Sequence, residues 1–235
     1  MNEALARLLE LSEADASLRT LEGRLADLAR EVERLQARLV AEDEAFRKRQ
    51  EEHRALRLSA LAKSGEVDDT DAKIRLYQHK LEHDIIPYKE MEYLREQVGY
   101  LRGRLDELTD EALRLMAEAD LDEEKLKADT AEHAARRRRL EEELASVERE
   151  REGVRAEREA LRSRREALAH AVPPHLRASY ERVRSAGGSA VVPVVGGACG
   201  GCRLRLAETT LEKVKADREV VTCEHCLRFL YWRPS

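Results

Sequence analysis

The residues with the clearest chemistry in this 235-residue chain are four cysteines, arranged as two Cys-x-x-Cys pairs, Cys199/Cys202 and Cys223/Cys226, with 20 residues between the pairs. Each pair can set two thiolates on one face of a tetrahedral ion, and the segment between them is long enough to bring the second pair to the opposite face. With cysteine at all four positions no coordination site is left for water or substrate, so the pattern predicts one structural zinc ion, Zn2+, rather than a catalytic one. Two disulfides would need an oxidising compartment, and residues 1–20 hold no apolar signal segment to reach one. A redox Cys-x-x-Cys opens a helix, whereas Cys199-Gly200-Gly201-Cys202 reads as a glycine-rich turn. No nucleophile with its base, open metal site or phosphate loop is visible, so the chain does not read as an enzyme.

The elements that must position these cysteines follow from composition. Residues 1–172 contain one proline, Pro87, while the other four of the five and six of the 11 glycines lie beyond. With 39% of residues charged and 4% aromatic, the chain suits long helices rather than a large globular core. The expected fold is therefore mainly α: a long antiparallel coiled-coil hairpin over 1–172, followed by a small zinc ribbon over 173–235. No apolar run approaches the roughly 20 residues of a membrane helix, so a soluble cytoplasmic protein is expected.

Leu18, Leu21, Leu25, Leu28, Val32, Leu35 and Leu39 keep the 3,4 alternation of a coiled-coil seam, which then becomes polar at Glu42, Arg49 and His53 around Phe46. After Pro87 a second seam runs from Met91 to Leu115, turns polar at Asp122, Asp129 and Arg136, and resumes at Leu140. A reversal near 84–87 makes the two polar stretches face each other, in arms on the order of 120 Å long at about 1.5 Å per residue. Ser64-Gly65-Glu66 predicts a kink or short break near 64–68. The basic run Arg136–Arg139 is flanked by Glu132 and Glu141–Glu143 at helical ion-pair spacings and reads as a solvated face.

Two further groups are candidates for binding. Tyr77, Tyr88, Tyr93 and Tyr100 cluster around the turn, and Tyr93 and Tyr100 share an outward stripe beside Gly99 and Gly103, where another helix could come close. The bland reading is that the kinked first arm folds back over them; the functional one is a partner-binding tip. Residues 173–235 hold ten basic against six acidic residues, and Arg203, Arg205, Lys213, Lys215, Arg218 and Arg228 are candidate phosphate contacts for RNA or DNA. Trp232 is expected in the core of the ribbon.

The order of a charged coiled-coil hairpin, Glu92-Tyr93-Leu94-Arg95-Glu96-Gln97 near its turn, Pro173-Pro174, Cys-Gly-Gly-Cys, and a final cysteine pair leading into Leu230-Tyr231-Trp232 resembles a bacterial C4-type zinc-ribbon family of unknown function. The resemblance covers nearly the whole chain, and its specific part is Val191 to Trp232. It implies a non-enzymatic cytoplasmic adaptor or regulator; some members are implicated in RNA binding, or in contacts with an alternative sigma factor and with flagellar or secretion machinery. The family usually has glycine directly after the last cysteine, where this chain has Leu227, so a strained or differently shaped second knuckle is expected. Two functions follow: an adaptor whose hairpin binds a protein while the ribbon is a second docking module, or a nucleic-acid-binding protein that uses the basic face of the ribbon.

Overall fold

The structure, a computed structural model, describes residues 2–233; Met1, Pro234 and Ser235, which the expected domains include, lie outside them. Helix α1 spans Glu3–His83 and α2 spans Tyr88–Ala171, and Asp84 to Pro87 reverse the chain between them. The turn has a local cause. Pro87 disfavours helical geometry at Ile86 and ends the first helix. Its carbonyl then accepts the Glu90 and Met91 N–H groups at 2.9 and 3.0 Å to open the second, a position where its own missing N–H is no loss.

The expected break near 64–68 is absent: α1 is helical straight through Ser64, Gly65 and Glu66. One glycine costs about 1 kcal/mol in a helix, which is small beside the packing on either side. Lys63 pairs with Glu66 at 3.1 Å and with Glu111 of α2 at 3.3 Å, and Ala60 is buried.

After α2, Pro173 and Pro174 start a short helix, α3 (Pro174–Ser185). The remaining elements are β1 (Val191–Val195), β2 (Ala198–Cys199), α4 (Glu208–Ala216), β3 (Val221–Thr222) and β4 (Phe229–Trp232). The sheet order is β2-β1-β4-β3, with β1 and β4 parallel and the outer pairs antiparallel. Between β2 and α4 the chain makes a single antiparallel bridge, Arg205 to Ala198. Arg203 adopts φ 63°, which turns the chain and prevents an extended run.

The chain divides into two compact units. One comprises Arg34–Leu144. Its apolar seam includes Leu35, Ala60, Ile74, Leu94, Val98, Leu108, Ala112 and Leu140, all buried. In its middle the polar seam residues pair across the helices. Arg49 donates to both Asp122 oxygens at 2.7 and 3.1 Å and to Asp129 at 3.0 Å, and His53 Nδ1 lies 2.8 Å from Asp122. Arg136 reaches Glu42, and Phe46 stacks on His133 with centroids 4.2 Å apart. The run Arg136–Arg138 makes the expected helical pairs with Glu132, Glu141 and Glu142.

The other unit comprises Met1–Glu33 with Ala145–Ser235. Here Leu5, Leu8 and Leu11 of α1, Ala169 and Val172 at the end of α2, Tyr180 and Val183 of α3, Ala190 and Val191 beside and in β1, and Phe229 of β4 form one core. The opposite face of the sheet packs Val192, Val194 and Leu230 on Leu206, Leu211, Val214 and the buried Cys199 and Cys223. The two helix ends thus complete the ribbon's hydrophobic core. No helix among the described residues is long and apolar enough to cross a membrane.

Candidate metal centre

The two cysteine pairs sit on turns with the same hydrogen-bond pattern. In the first, Arg203 N donates to Cys199 O at 2.8 Å and Cys199 N to Leu204 O at 2.9 Å; in the second, Leu227 N donates to Cys223 O at 3.0 Å and Cys223 N to Arg228 O at 2.8 Å. Both turns close with a left-handed residue after the second cysteine, Arg203 at φ 63° and Leu227 at φ 60°. The second knuckle is therefore not reshaped by the missing glycine. It keeps the geometry of the first and accepts a non-glycine residue in a region that costs about 1–2 kcal/mol.

The four sulfur atoms lie within 4.8 Å of one another, with Cys199 to Cys226 and Cys202 to Cys223 both 3.7 Å apart. Tetrahedral zinc with Zn–S of about 2.3 Å needs sulfur atoms about 3.8 Å apart, so this donor set fits one zinc ion. Burial pushes the Cys199 and Cys223 thiols up. Burial also raises Cys226, but hydrogen bonds from the Arg228 backbone and side chain, and from Cys202 and Cys223, outweigh it and pull this thiol down. Bound to the metal all four would be thiolates, and the ion would tie the β1–β2 end of the sheet to the β3–β4 end.

Gly200 and Gly201 are required by their surroundings. A Cβ on Gly200 would lie 2.6 Å from the Pro193 carbonyl oxygen, which the Gly200 N–H itself binds, and one on Gly201 would lie 2.5 Å from Arg228 Cδ. Arg228 runs past this knuckle to donate to Ser189 O at 3.0 Å and Gly187 O at 3.2 Å. It is half-buried and engaged with backbone through Nε and Nη2, so it braces this knuckle.

The other candidates differ in their surroundings. Lys213 pairs with Glu219 at 3.6 Å, while Lys215, about 200° further around α4, lies 5.0 Å over the Trp232 ring. Arg203, Arg205 and Arg218 are exposed. Trp232 is 40% exposed instead of buried, and Phe229 and Tyr180 take the core position expected for it. Near the hairpin turn Tyr93, Tyr100 and Tyr88 are exposed, so no fold-back of the first arm covers them, and Tyr77 is half-buried. Gly99 and Gly103 face open space.

Sequence reasoning missed a polar cluster at Asp15. This carboxylate is 3% exposed and accepts from Tyr180 Oη at 2.7 Å, Arg165 Nε at 3.1 Å and Arg184 Nη1 at 3.4 Å. Burial, then the bond to Asp15, pushes the Tyr180 phenol well above its ordinary value. The available signal was an aspartate among the leucines that begin α1.

These features define a class: a long helical hairpin carrying a structural zinc ribbon. Residues 198–230 match the C4-type zinc ribbon domain and residues 11–188 the CT398-like coiled-coil hairpin domain. The chain belongs to this CT398-like family. Its fold is similar to that of CT398 from Chlamydia trachomatis, at 20% identity, 98% coverage of both chains and a TM-score of 0.79. It is also similar to a protein from Mycobacterium smegmatis, at 25% identity, 99% coverage of both chains and a TM-score of 0.63. HP0958 from Helicobacter pylori matches at 25% identity over 100% of this chain and 99% of that one, with a TM-score of 0.53. No curated protein matches the chain.

Proposed function

We propose that this protein is a non-enzymatic cytoplasmic adaptor or regulator that captures a protein partner at the turn of its hairpin. The observation that carries this reading is the set of apolar side chains left open there: Ile85 fully exposed, Tyr88 at 72%, Tyr93 at 57% and Tyr100 at 70%. Aromatic rings held on a rigid helix bury large area on a partner with little loss of freedom, which is the chemistry of interface anchors. Gly99 and Gly103, where an added Cβ would meet open space, let a partner helix approach beside the tyrosines. The zinc ribbon serves as a second docking module. Replacing Tyr93 and Tyr100 together by serine should abolish capture of the main cellular partner from nuclease-treated lysate while leaving helix content and zinc unchanged. Unchanged capture would refute this site.

A second reading, nucleic-acid binding by the ribbon, is favoured by the exposed Trp232 ring under Lys215 and by the exposure of Arg203 and Arg205. Few phosphate contacts are available on so small a surface, so this binding would be weak and salt-sensitive. In the same experiment, partners lost only on nuclease treatment would favour the ribbon over the hairpin turn.

A further inference from the structure

Within the unit that holds the ribbon, a cavity of about 330 Å³ opens between α1, α2 and α3, and four arginines line it: Arg158, Arg162 and Arg165 of α2 and Arg184 of α3. Three carboxylates share the lining, Asp15, Glu22 and Glu166. Their pairing is uneven. Asp15 is enclosed by Tyr180, Arg165 and Arg184. One heptad along, Glu22 and Arg158 occupy the equivalent positions on α1 and α2 and also line the cavity, yet among the described residues no hydrogen bond joins them.

Several guanidinium donors along this lining are left over. Arg158 has no hydrogen bond among the described residues, and its only ion pair is to Glu159 at 3.9 Å. Arg162 has only a 3.6 Å ion pair with Glu166. Arg165 uses Nε and Nη2 on Asp15 and Glu181, which leaves Nη1; Arg184 uses Nε and Nη1, which leaves Nη2. Arg165 is itself held at 14% side-chain exposure, so its orientation is set by the protein before any ligand arrives.

We propose that this cavity binds a phosphate group, with Arg158 and Arg162 as the outer clamp and the free amino groups of Arg165 and Arg184 as inner donors. Planar guanidinium forks match phosphate oxygens in pairs, and the volume lies at the small end of ligand pockets, suited to a compact anion. Glu22 competes with the ligand for Arg158. None of its lining residues belongs to the hairpin turn or to the ribbon's basic candidates.

The experiment is calorimetric titration of the full-length zinc-bound protein with inorganic pyrophosphate at fixed ionic strength. Saturable binding is expected, weakened at least tenfold in the double variant Arg158→Gln/Arg162→Gln and strengthened severalfold in Glu22→Gln. Among the described residues neither variant removes a hydrogen bond; should the double variant still fail to fold, Glu22→Gln decides alone. A second titration compares 5′-phosphorylated with 5′-hydroxyl oligoribonucleotide: dependence on the 5′-phosphate identifies an RNA end as the phosphate source, and binding of pyrophosphate alone identifies a small molecule. Absence of pyrophosphate binding, binding that the double variant leaves unchanged, or weaker binding in Glu22→Gln would overturn the proposal.

Discussion

Replacing Asp15 by alanine removes the group on which three elements converge. In the folded chain its carboxylate, 3% exposed, takes the Tyr180 hydroxyl at 2.7 Å, Arg165 at 3.1 and 3.4 Å and Arg184 at 3.4 Å. Without it, Arg165 keeps only Glu181, and the Tyr180 hydroxyl, on a residue 1% exposed, loses its acceptor. Breaking a buried charge pair costs about 3–5 kcal/mol, and an orphaned buried hydroxyl about 1–3 kcal/mol. Because Glu181 still neutralises Arg165, the lower end applies, and the total should be about 4 kcal/mol. Tyr180→Phe is the control: it removes the hydroxyl but leaves the guanidinium bonds of Asp15, and should cost about 1 kcal/mol. Urea unfolding followed by fluorescence of Trp232, the one tryptophan, reads this unit. With a slope of about 2 kcal/mol per molar urea, Asp15→Ala should lower the midpoint by about 2 M and Tyr180→Phe by about 0.5 M. If Asp15→Ala shifts the midpoint no more than Tyr180→Phe does, the cluster contributes no more than a surface ion pair and the reasoning fails.

Two other outcomes can be measured directly. Chelation of zinc should melt the sheet around Val192, Val194, Leu211 and Leu230, which packs on the cysteines, while far-ultraviolet circular dichroism keeps nearly all of its helical signal; loss of most helix on chelation would contradict this division. The hydrogen bonds of Arg49, and then of His53, hold the Asp122 carboxyl below its ordinary value. A carboxyl depressed on folding stabilises the protein fully above its unfolded value of about 4, and that stabilisation is lost as the pH falls through the folded value. Asp122→Asn should therefore lower the melting temperature at pH 7 and make it fall less steeply below about pH 4; a variant whose acid profile matches the parent would show that Asp122 does not carry this dependence.

Much of the molecule was legible in its sequence. Cysteine spacing is a local property, because two thiolates on one tight turn can meet an ion only at certain separations, and the four sulfur atoms indeed lie together. The heptads of α1 and α2 are equally local, and the matched polar stretches implied which residues face each other: Arg49 meets Asp122 and Asp129, and Arg136 meets Glu42. Where local reasoning failed, a preference was outweighed by packing. Gly65 weakens a helix by about 1 kcal/mol, and the side chains around it hold α1 together regardless.

What the amino-acid sequence determined by itself was therefore the set of short-range structures: two helices, a proline-marked turn and a pair of zinc knuckles. Tertiary structure alone decided what covers the ribbon. Leu5, Leu8 and Leu11 precede the regular seam that begins at Leu18, yet they share one core with Phe229 and Tyr180, and Asn2 bonds Arg218 across 216 positions of sequence. It also decided that Trp232 faces solvent and that Arg228 bonds backbone carbonyls. The physical reason is that a periodic pattern states which face of a helix is apolar, and nothing in it states which distant surface will bury that face. That choice depends on where the chain returns after the hairpin, and the end of α2 returns the ribbon to the first turns of α1.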